Sequence, residues 1–416
     1  MDAMGFKKTE LICTGSELVS SKSNRYVPLF AAKLRPLGFR IYREHSVGDD
    51  LKAIAKIVAC GLNSADLVIT CGGLGPTFDD LTRQGVARAL GRKLIYSKYA
   101  EQILKCDYNL SKLPPNFKNQ CLIIDGAKMV ENANGTAFGQ IVAVGGKLLV
   151  VLPGPQSEWV PMFDNFIADN IKEFFKSKEG VIRMLRLKVA DLREVAAEKL
   201  LRPVMRRFPE AQYTILAGAN IAEFSFTVSG KRPSEAAVKL SGIEKACRKI
   251  LGCAIYGTDE DTLEAAVGAL LKKKRATVAL AESCTGGAVS DALTNVPGSS
   301  AYFSGGVTAY SIGSKRSVLG VKKSTIIKEG AVSTRCAAEM AEGVRRLFKT
   351  DYAVSVTGIA GPDGGTKELP VGLVCFAVAG RGIKTRTFTR NFRHTRGDIK
   401  RCSVNFALDA LRKIIQ

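Results

Sequence analysis

The chain has 416 residues, of which 46% are hydrophobic and 24% charged, the balance of a globular protein large enough for two or three domains. It contains no run of 18 or more apolar residues, which argues against a transmembrane helix. Its first residues offer only "LIC" as an apolar stretch, too short for a secretory signal. Lys and Arg number 61 against 39 Asp and Glu, a net charge of +22. A basic surface of this kind suits anionic small-molecule substrates as well as nucleic acid, and "KKKR" at 272–275 is its one local cluster. The eleven cysteines are odd in number and form no C-x-x-C pair, so they read as reduced, mostly buried thiols of a cytoplasmic protein. With only two histidines, His45 and His394, acid–base chemistry falls to Lys, Tyr, Asp or Glu.

In chain order, "TELICTG" predicts a buried strand and "YVPLFAAKLRPLG" a helix stopped by Gly. "RIYREHSV" predicts a strand, "DDLKAIAKIVACGL" a helix with an Asp start, and "DLVITCGG" a second apolar strand. "DDLTRQGVARALG" reads as a helix with acids in its first turn; "KLLVVLPG" and "PMFDNFIADNIKEFF" add a strand and a helix. This alternation implies a mainly parallel sheet with helices on both faces. Residues 181–258 change character: strands at "IRMLRLKV", "QYTILAG" and "EFSFTVSG" accompany helices at "REVAAEKLLRPVMRR" and "SEAAVKLSGIEKACRKIL", an α+β segment without a catalytic constellation. A Thr/Asp-capped helix, "GTDEDTLEAAVGALLKKK", opens the last domain. Its strands are expected at "ATVALAE", "YFSGGVTAY", "YAVSVTG" and "VGLVCFAVAG", and its final helix at "DIKRCSVNFALDALRKII".

"CGGLGPTFDDLTRQGVARALG" places Gly72, Gly73 and Gly75 after a strand and Asp79 and Asp80 at a helix start. Glycines let backbone N–H groups approach a phosphate, and acids beside such a loop make sense holding a divalent cation that bridges to it; the same acids could equally be plain helix caps. Glu17 in "TGSEL", Thr136 in "NGTAFG" and Glu158 in "LPGPQSEW" stand at further loops. These motifs, in this order over residues 8–175, resemble the molybdopterin-binding-like domain of the CinA (competence/damage-inducible protein A) family. The resemblance implies a metal-dependent pyrophosphatase acting on ADP-ribose, with Glu17, Gly73, Asp79, Asp80, Thr136 and Glu158 as phosphate or metal contacts and Asp79 and Asp80 as the metal ligands. The segment Val19–Tyr26, "VSSKSNRY", departs from the Gly-Gln and Asn-x-Asn pattern usual there, keeping Asn24 and placing Tyr26 at the second Asn.

"AESCTGG", residues 281–287, puts Ser283 and Cys284 together at a strand-to-helix turn. A hydroxyl at a helix N-terminus is either a cap or a nucleophile whose alkoxide the free N–H groups stabilise. Backbone N–H groups of Thr285, Gly286 and Gly287 could face a developing oxyanion. "YFSGGVTAYSIGSKRSVLGV" supplies Tyr310 and Lys315: a desolvated Lys can deprotonate Ser, although a solvated surface Lys is the plainer reading. Thr357 ends another strand, in "SVTGIAGPDGGT", and Cys284 is a rival nucleophile. With "GAVS", "AAEMAEGVRR" and "PVGLV", these runs closely resemble the C-terminal domain of the same family across nearly all of 259–416. The resemblance implies an amidohydrolase that converts nicotinamide mononucleotide (NMN) to nicotinate mononucleotide and ammonia in pyridine-nucleotide recycling. It makes Ser283 the nucleophile and Lys315 its base, with Tyr310 beside them. Glu282, Thr285, Thr357 and Arg396 complete the pocket, without a cofactor. The family's Gly-Asp-Arg before the final helix reads "HTR" here, residues 394–396.

The expected organisation is therefore α/β: a three-layer molybdopterin-binding-like domain (1–180), a small α+β connecting domain (181–258) and a C-terminal α/β amidohydrolase domain (259–416). The expected partners are NMN and ADP-ribose, in a cytoplasmic homodimer with no membrane; the basic surface leaves nucleic acid open. The alternative is an interaction protein of competence or DNA repair with degenerate sites.

Overall fold

The computed structural model describes residues 6–21, 23–175, 181–192 and 194–416. The chain divides into two compact units, residues 1–183 with 228–237 and residues 184–227 with 238–416. The domain boundary expected at residue 180 falls outside the described residues. The fold class is α/β, as expected.

In the first unit the six-stranded sheet runs in the order Phe39–Val47, Lys7–Thr14, Leu67–Cys71, Lys147–Leu152, Gly139–Val144, Lys128–Val130. The first four strands are parallel; Gly139–Val144 runs against them and Lys128–Val130, antiparallel to it, runs with them, so the sheet is mixed but mainly parallel. One face is covered by the helix Tyr26–Leu34 and the helical stretch beginning at Gln156; there Phe30 stacks on Trp159 at 4.0 Å between ring centres. The other face is covered by Leu51–Ser64 through Ile54 and Val58. Asp50 caps that helix as expected, accepting from the Ala53 N–H at 2.7 Å. The helix after Lys7–Thr14 lies on the first face and the helix Thr82–Leu90, after Leu67–Cys71, on the second, so a crevice opens at the carboxyl ends of these two neighbouring strands, the position where open α/β sheets bind ligands.

The acids of "DDLTR" are not in a helix. The helix runs Thr82–Leu90 with no acid in its first turn. Asp79 and Asp80 instead belong to the preceding loop, where the Asp80 carboxylate accepts from the Thr77 N–H at 2.8 Å. A side-chain bond back to position 77 competes with helix geometry and delays the helix start.

Farther along the chain, a four-stranded sheet runs Gln212–Gly218, Ile221–Gly230, Val181–Ala190, Ile255–Thr258. Its hairpin turns on Ala219 and Asn220, both at positive φ (51° and 65°). The second unit's five-stranded sheet runs Phe303–Thr308, Val278–Glu282, Tyr352–Gly358, Leu373–Gly380, Ile383–Asn391, the first three parallel and the rest antiparallel. Alternation along Val278–Glu282 sends Val278 and Leu280 to one core and Ala279 and Ala281 to the other. Helices Leu263–Lys274, Ala288–Thr294 and Arg396–Ile415 pack on the first face, and Thr334–Phe348 on the second. The final helix is also tied to the Cys253–Ile255 backbone by Arg412, which is wholly buried and paired with Asp409. Among the described residues no helix is long and apolar enough to cross a membrane.

Candidate active site

In the second unit the chain leaves Val278–Glu282 onto one face of the sheet and leaves Phe303–Thr308 toward the other. The carboxyl ends of these neighbouring parallel strands therefore flank a crevice, and Ser283 and Lys315 meet there. Lys315 sits on the short helix Ile312–Ser317, fixed by a reciprocal capping box between Ser311 and Ser314. Its Nζ donates to Ser283 Oγ at 2.7 Å and to the Ala309 carbonyl at 2.9 Å. Both side chains are buried, Ser283 at 7% exposure and Lys315 at 3%. Burial pushes the Lys315 ammonium below the ordinary lysine value, against a weaker opposing pull from Cys336 and Cys284. The lysine thus makes two hydrogen bonds and no ion pair among the described residues, the environment that favours a neutral amine.

Ser283 is not a helix cap. Glu282, 1% exposed, performs that role. One carboxylate oxygen accepts from the N–H groups of Gly287 (2.9 Å) and Val289 (3.1 Å). The other accepts from the Ser290 N–H (2.8 Å) and Oγ (2.7 Å). Both oxygens are thus committed to the first turn of Ala288–Thr294, which leaves Glu282 no means of contacting substrate and the Ser283 hydroxyl free for Lys315. Gly286 and Gly287 have φ of 66° and 99°, the left-handed region that the turn needs and that side chains resist. Their N–H groups are also committed, Gly286 to the Ser283 carbonyl and Gly287 to Glu282. The donors of this turn that meet no carbonyl or carboxylate among the described residues are the N–H groups of Cys284 and Thr285. Of the N–H groups expected to face an oxyanion, those of Gly286 and Gly287 are thus occupied, and that of Thr285 is left with that of Cys284 beside it.

Replacing Glu282 with Ala should lower the melting temperature by an amount equivalent to roughly 2–4 kcal/mol, since three helix N–H groups lose a charged acceptor. An unchanged melting temperature with a raised KM would instead make Glu282 a substrate contact.

Thr357 also faces inward: wholly buried, it donates to the Ala331 carbonyl at 2.8 Å. Thr285 is buried and its hydroxyl has no partner among the described residues. Tyr310 is exposed, and its phenol accepts from Arg396 at 3.3 Å, while Arg396 also donates to the Gly361 carbonyl at 2.5 Å. Thr395, within the divergent "HTR", caps the final helix, so the substitution keeps Arg396 in place. Cys284 packs in the core, and burial pushes its thiol up to about 12, where no thiolate forms at neutral pH. All eleven cysteines are free, and eight are buried.

In the first unit all six candidate residues, Glu17, Gly73, Asp79, Asp80, Thr136 and Glu158, line one cleft of about 340 Å³ at the strand ends. Gly72 closes its floor at φ 110°, where a Cβ would come 2.3 Å from the Thr14 carbonyl oxygen. Thr77 Oγ1 lies 2.5 Å from a carboxylate oxygen of Asp79 and of Asp80 and donates its single proton to one of them at a time, so the two carboxylates converge on one point. Asn132 donates to Glu158 at 2.7 Å, and Gln120 to Thr136 at 2.6 Å. Within Val19–Tyr26, Lys22 lies outside the described residues; Asn24 bonds Glu44 and the Tyr26 N–H, and Tyr26 joins the cleft wall.

Two family models match the chain: the CinA C-terminal domain over residues 260–415 and "Probable molybdopterin binding domain" over residues 10–173. A CinA-like protein of Endomicrobium trichonymphae is 40% identical over 98% of this chain and 98% of its own length. Another, from Thermotoga maritima, is 38% identical over 99% of this chain and 98% of its own. The crystal structure of competence/damage inducible protein CihA from Agrobacterium tumefaciens is 38% identical, covering 37% of this chain and 94% of that one, with a TM-score of 0.36. Matched in both halves and aligned with its relatives end to end, the chain belongs to the CinA family.

Proposed function

We propose that the second unit hydrolyses the carboxamide of NMN to nicotinate mononucleotide and ammonia. The observation that carries this reading is the buried Lys315 Nζ at 2.7 Å from Ser283 Oγ. Ser283 Oγ attacks the carboxamide carbon while neutral Lys315 takes its proton, and the Ala309 carbonyl holds the amine in line. The negative charge that develops on the amide oxygen meets the Cys284 and Thr285 N–H groups. Lys315 passes the proton to the departing nitrogen, which leaves as ammonia. Water then attacks the acyl ester, Lys315 again accepts a proton, and Ser283 is regenerated with release of the carboxylate.

For the first unit we propose hydrolysis of ADP-ribose at its pyrophosphate. Among the described residues no group of three His, Cys, Asp or Glu side chains converges as a protein cage for a metal. Two converging carboxylates nevertheless fit a hard divalent cation, which takes one or two protein carboxylates and fills its other positions with water and phosphate oxygens. Asp79 and Asp80 would hold it, and it would neutralise charge on the pyrophosphate. The glycine loop and Thr136 border the same cleft, with donors for the phosphates.

The test is ammonia release from NMN and product formation from ADP-ribose by the full chain, each with and without EDTA. Ammonia equal to nicotinate mononucleotide formed, insensitive to EDTA, is expected, alongside EDTA-sensitive hydrolysis of ADP-ribose. Ammonia at the level of a protein-free control would overturn the amidase reading.

A further inference from the structure

We propose that Lys400 recognises the phosphate of the substrate bound at Ser283, an assignment that rests on the nucleotide-amidase reading. Among the cations around the turn, Lys315 is committed to Ser283 and Ala309. Arg396 bonds the Gly361 carbonyl and Tyr310, and Arg401 pairs with Asp398. Lys400 is different. It lies one helical turn beyond Arg396, so both project from one face of the final helix. Its Nζ lies 3.7 Å from where a Cβ on Gly286 would stand, which places the ammonium against the 283–287 turn. It is partly buried, and among the described residues no carboxylate, carbonyl or hydroxyl accepts from it.

An ammonium held beside the turn with no protein acceptor is free to take an anion there. The nearby acids cannot serve: Glu282 is consumed by four donors, and Asp398 is held by Thr395 and Arg401. The turn itself adds a second, independent sign of a missing acceptor, the wholly buried Thr285 hydroxyl, which has no partner among the described residues. Donors thus outnumber acceptors on the rim beside the nucleophile. A phosphate monoester carries about two negative charges and several strong acceptor oxygens, the chemistry this rim lacks. Lys400 would therefore set the preference for a nucleotide over the corresponding nucleoside.

The experiment compares NMN with nicotinamide riboside, which carries the same carboxamide and ribose without the phosphate. Lys400→Ala and Lys400→Gln should raise KM for NMN by about 10- to 100-fold with kcat nearly unchanged. They should leave kcat/KM for the riboside as it is, and Lys400→Arg should restore most of the affinity for NMN. An equal loss on both substrates, or a fall in kcat with a displaced pH profile, would overturn the assignment, because Lys400 would then act through the Ser283–Lys315 pair. A binding arm needs no turnover: calorimetric titration of ribose 5-phosphate into Ser283→Ala protein with and without Lys400→Gln. Weaker binding in the double variant, with a wild type that releases no ammonia, would refute the amidase reading and leave the Lys400 anion site standing. Equal binding in both proteins would refute the site itself.

Discussion

Replacing Ser283 with Ala is expected to lower the rate of ammonia release from NMN by at least about 10³-fold, the scale on which loss of an activated nucleophile is felt. The substitution removes one oxygen and little else. Lys315 keeps the Ala309 carbonyl, Glu282 keeps its four donors, and the backbone of the turn is held by the Ser283 N–H to Val356. The protein should therefore fold and bind NMN, so the loss falls in kcat rather than in KM. Any residual rate comes from the Cys284 and Thr285 N–H groups acting on direct attack by water. Mass spectrometry of the protein quenched during turnover should show a nicotinoyl-nucleotide adduct on the wild type and none on the variant. Cys284→Ser is the control. Its thiol is buried and pushed up to about 12, so the variant should work within a few-fold of wild type. A Ser283→Ala protein that turns over at the unmutated rate would remove the serine mechanism.

What the sequence made legible, and what it hid, divides along physical lines. The buried strands read clearly because their apolar runs are dense: "LICT" and "VALAE" are buried throughout. The residues alone leave Ser283 open as a cap and Lys315 as a surface lysine; the family resemblance pairs them, and the fold brings them together because both follow neighbouring parallel strands. Glu282 was misleading. The resemblance makes it a pocket residue, and only the folded turn shows it reaching forward to three N–H groups. Asp79 and Asp80 misled in the opposite sense, resembling first-turn acids while belonging to a loop closed on Thr77. The strand Ile383–Asn391 went unseen because it is an edge strand with no buried residue, "IKTRTFTRN", with charges where an apolar stripe would announce it. Lys400 carries no sequence signal at all. It is one of 61 basic residues, and its distinction lies in having no acceptor beside the turn.

Lys315 gives the second large effect. Lys315→Met, close in volume and without a proton acceptor, is expected to cost about 10²–10⁴-fold in kcat, the range for loss of a general base. Lys315→Arg should fare no better, because a guanidinium stays protonated at any working pH and its planar fork does not fit the position of a single Nζ. The pH dependence fixes the role. Burial disfavours the ammonium, so the folded protein holds this lysine below its ordinary value, and the active species is the neutral amine. Activity of the wild type should therefore rise with pH through a single deprotonation whose midpoint lies below the usual lysine value of about 10.4. The rising limb should vanish in Lys315→Met, leaving a low rate without that midpoint. Lys315→Ala opens space beside Ser283, and small primary amines added to the buffer should restore part of the rate, more so at pH values where they are unprotonated. A lysine that served only to hold the turn together would show none of this: its loss would lower the melting temperature, leave the shape of the pH profile intact and ignore added amines. Buried between a hydroxyl and a carbonyl, with no carboxylate paired to it among the described residues, Lys315 has the surroundings that a proton-exchanging base requires.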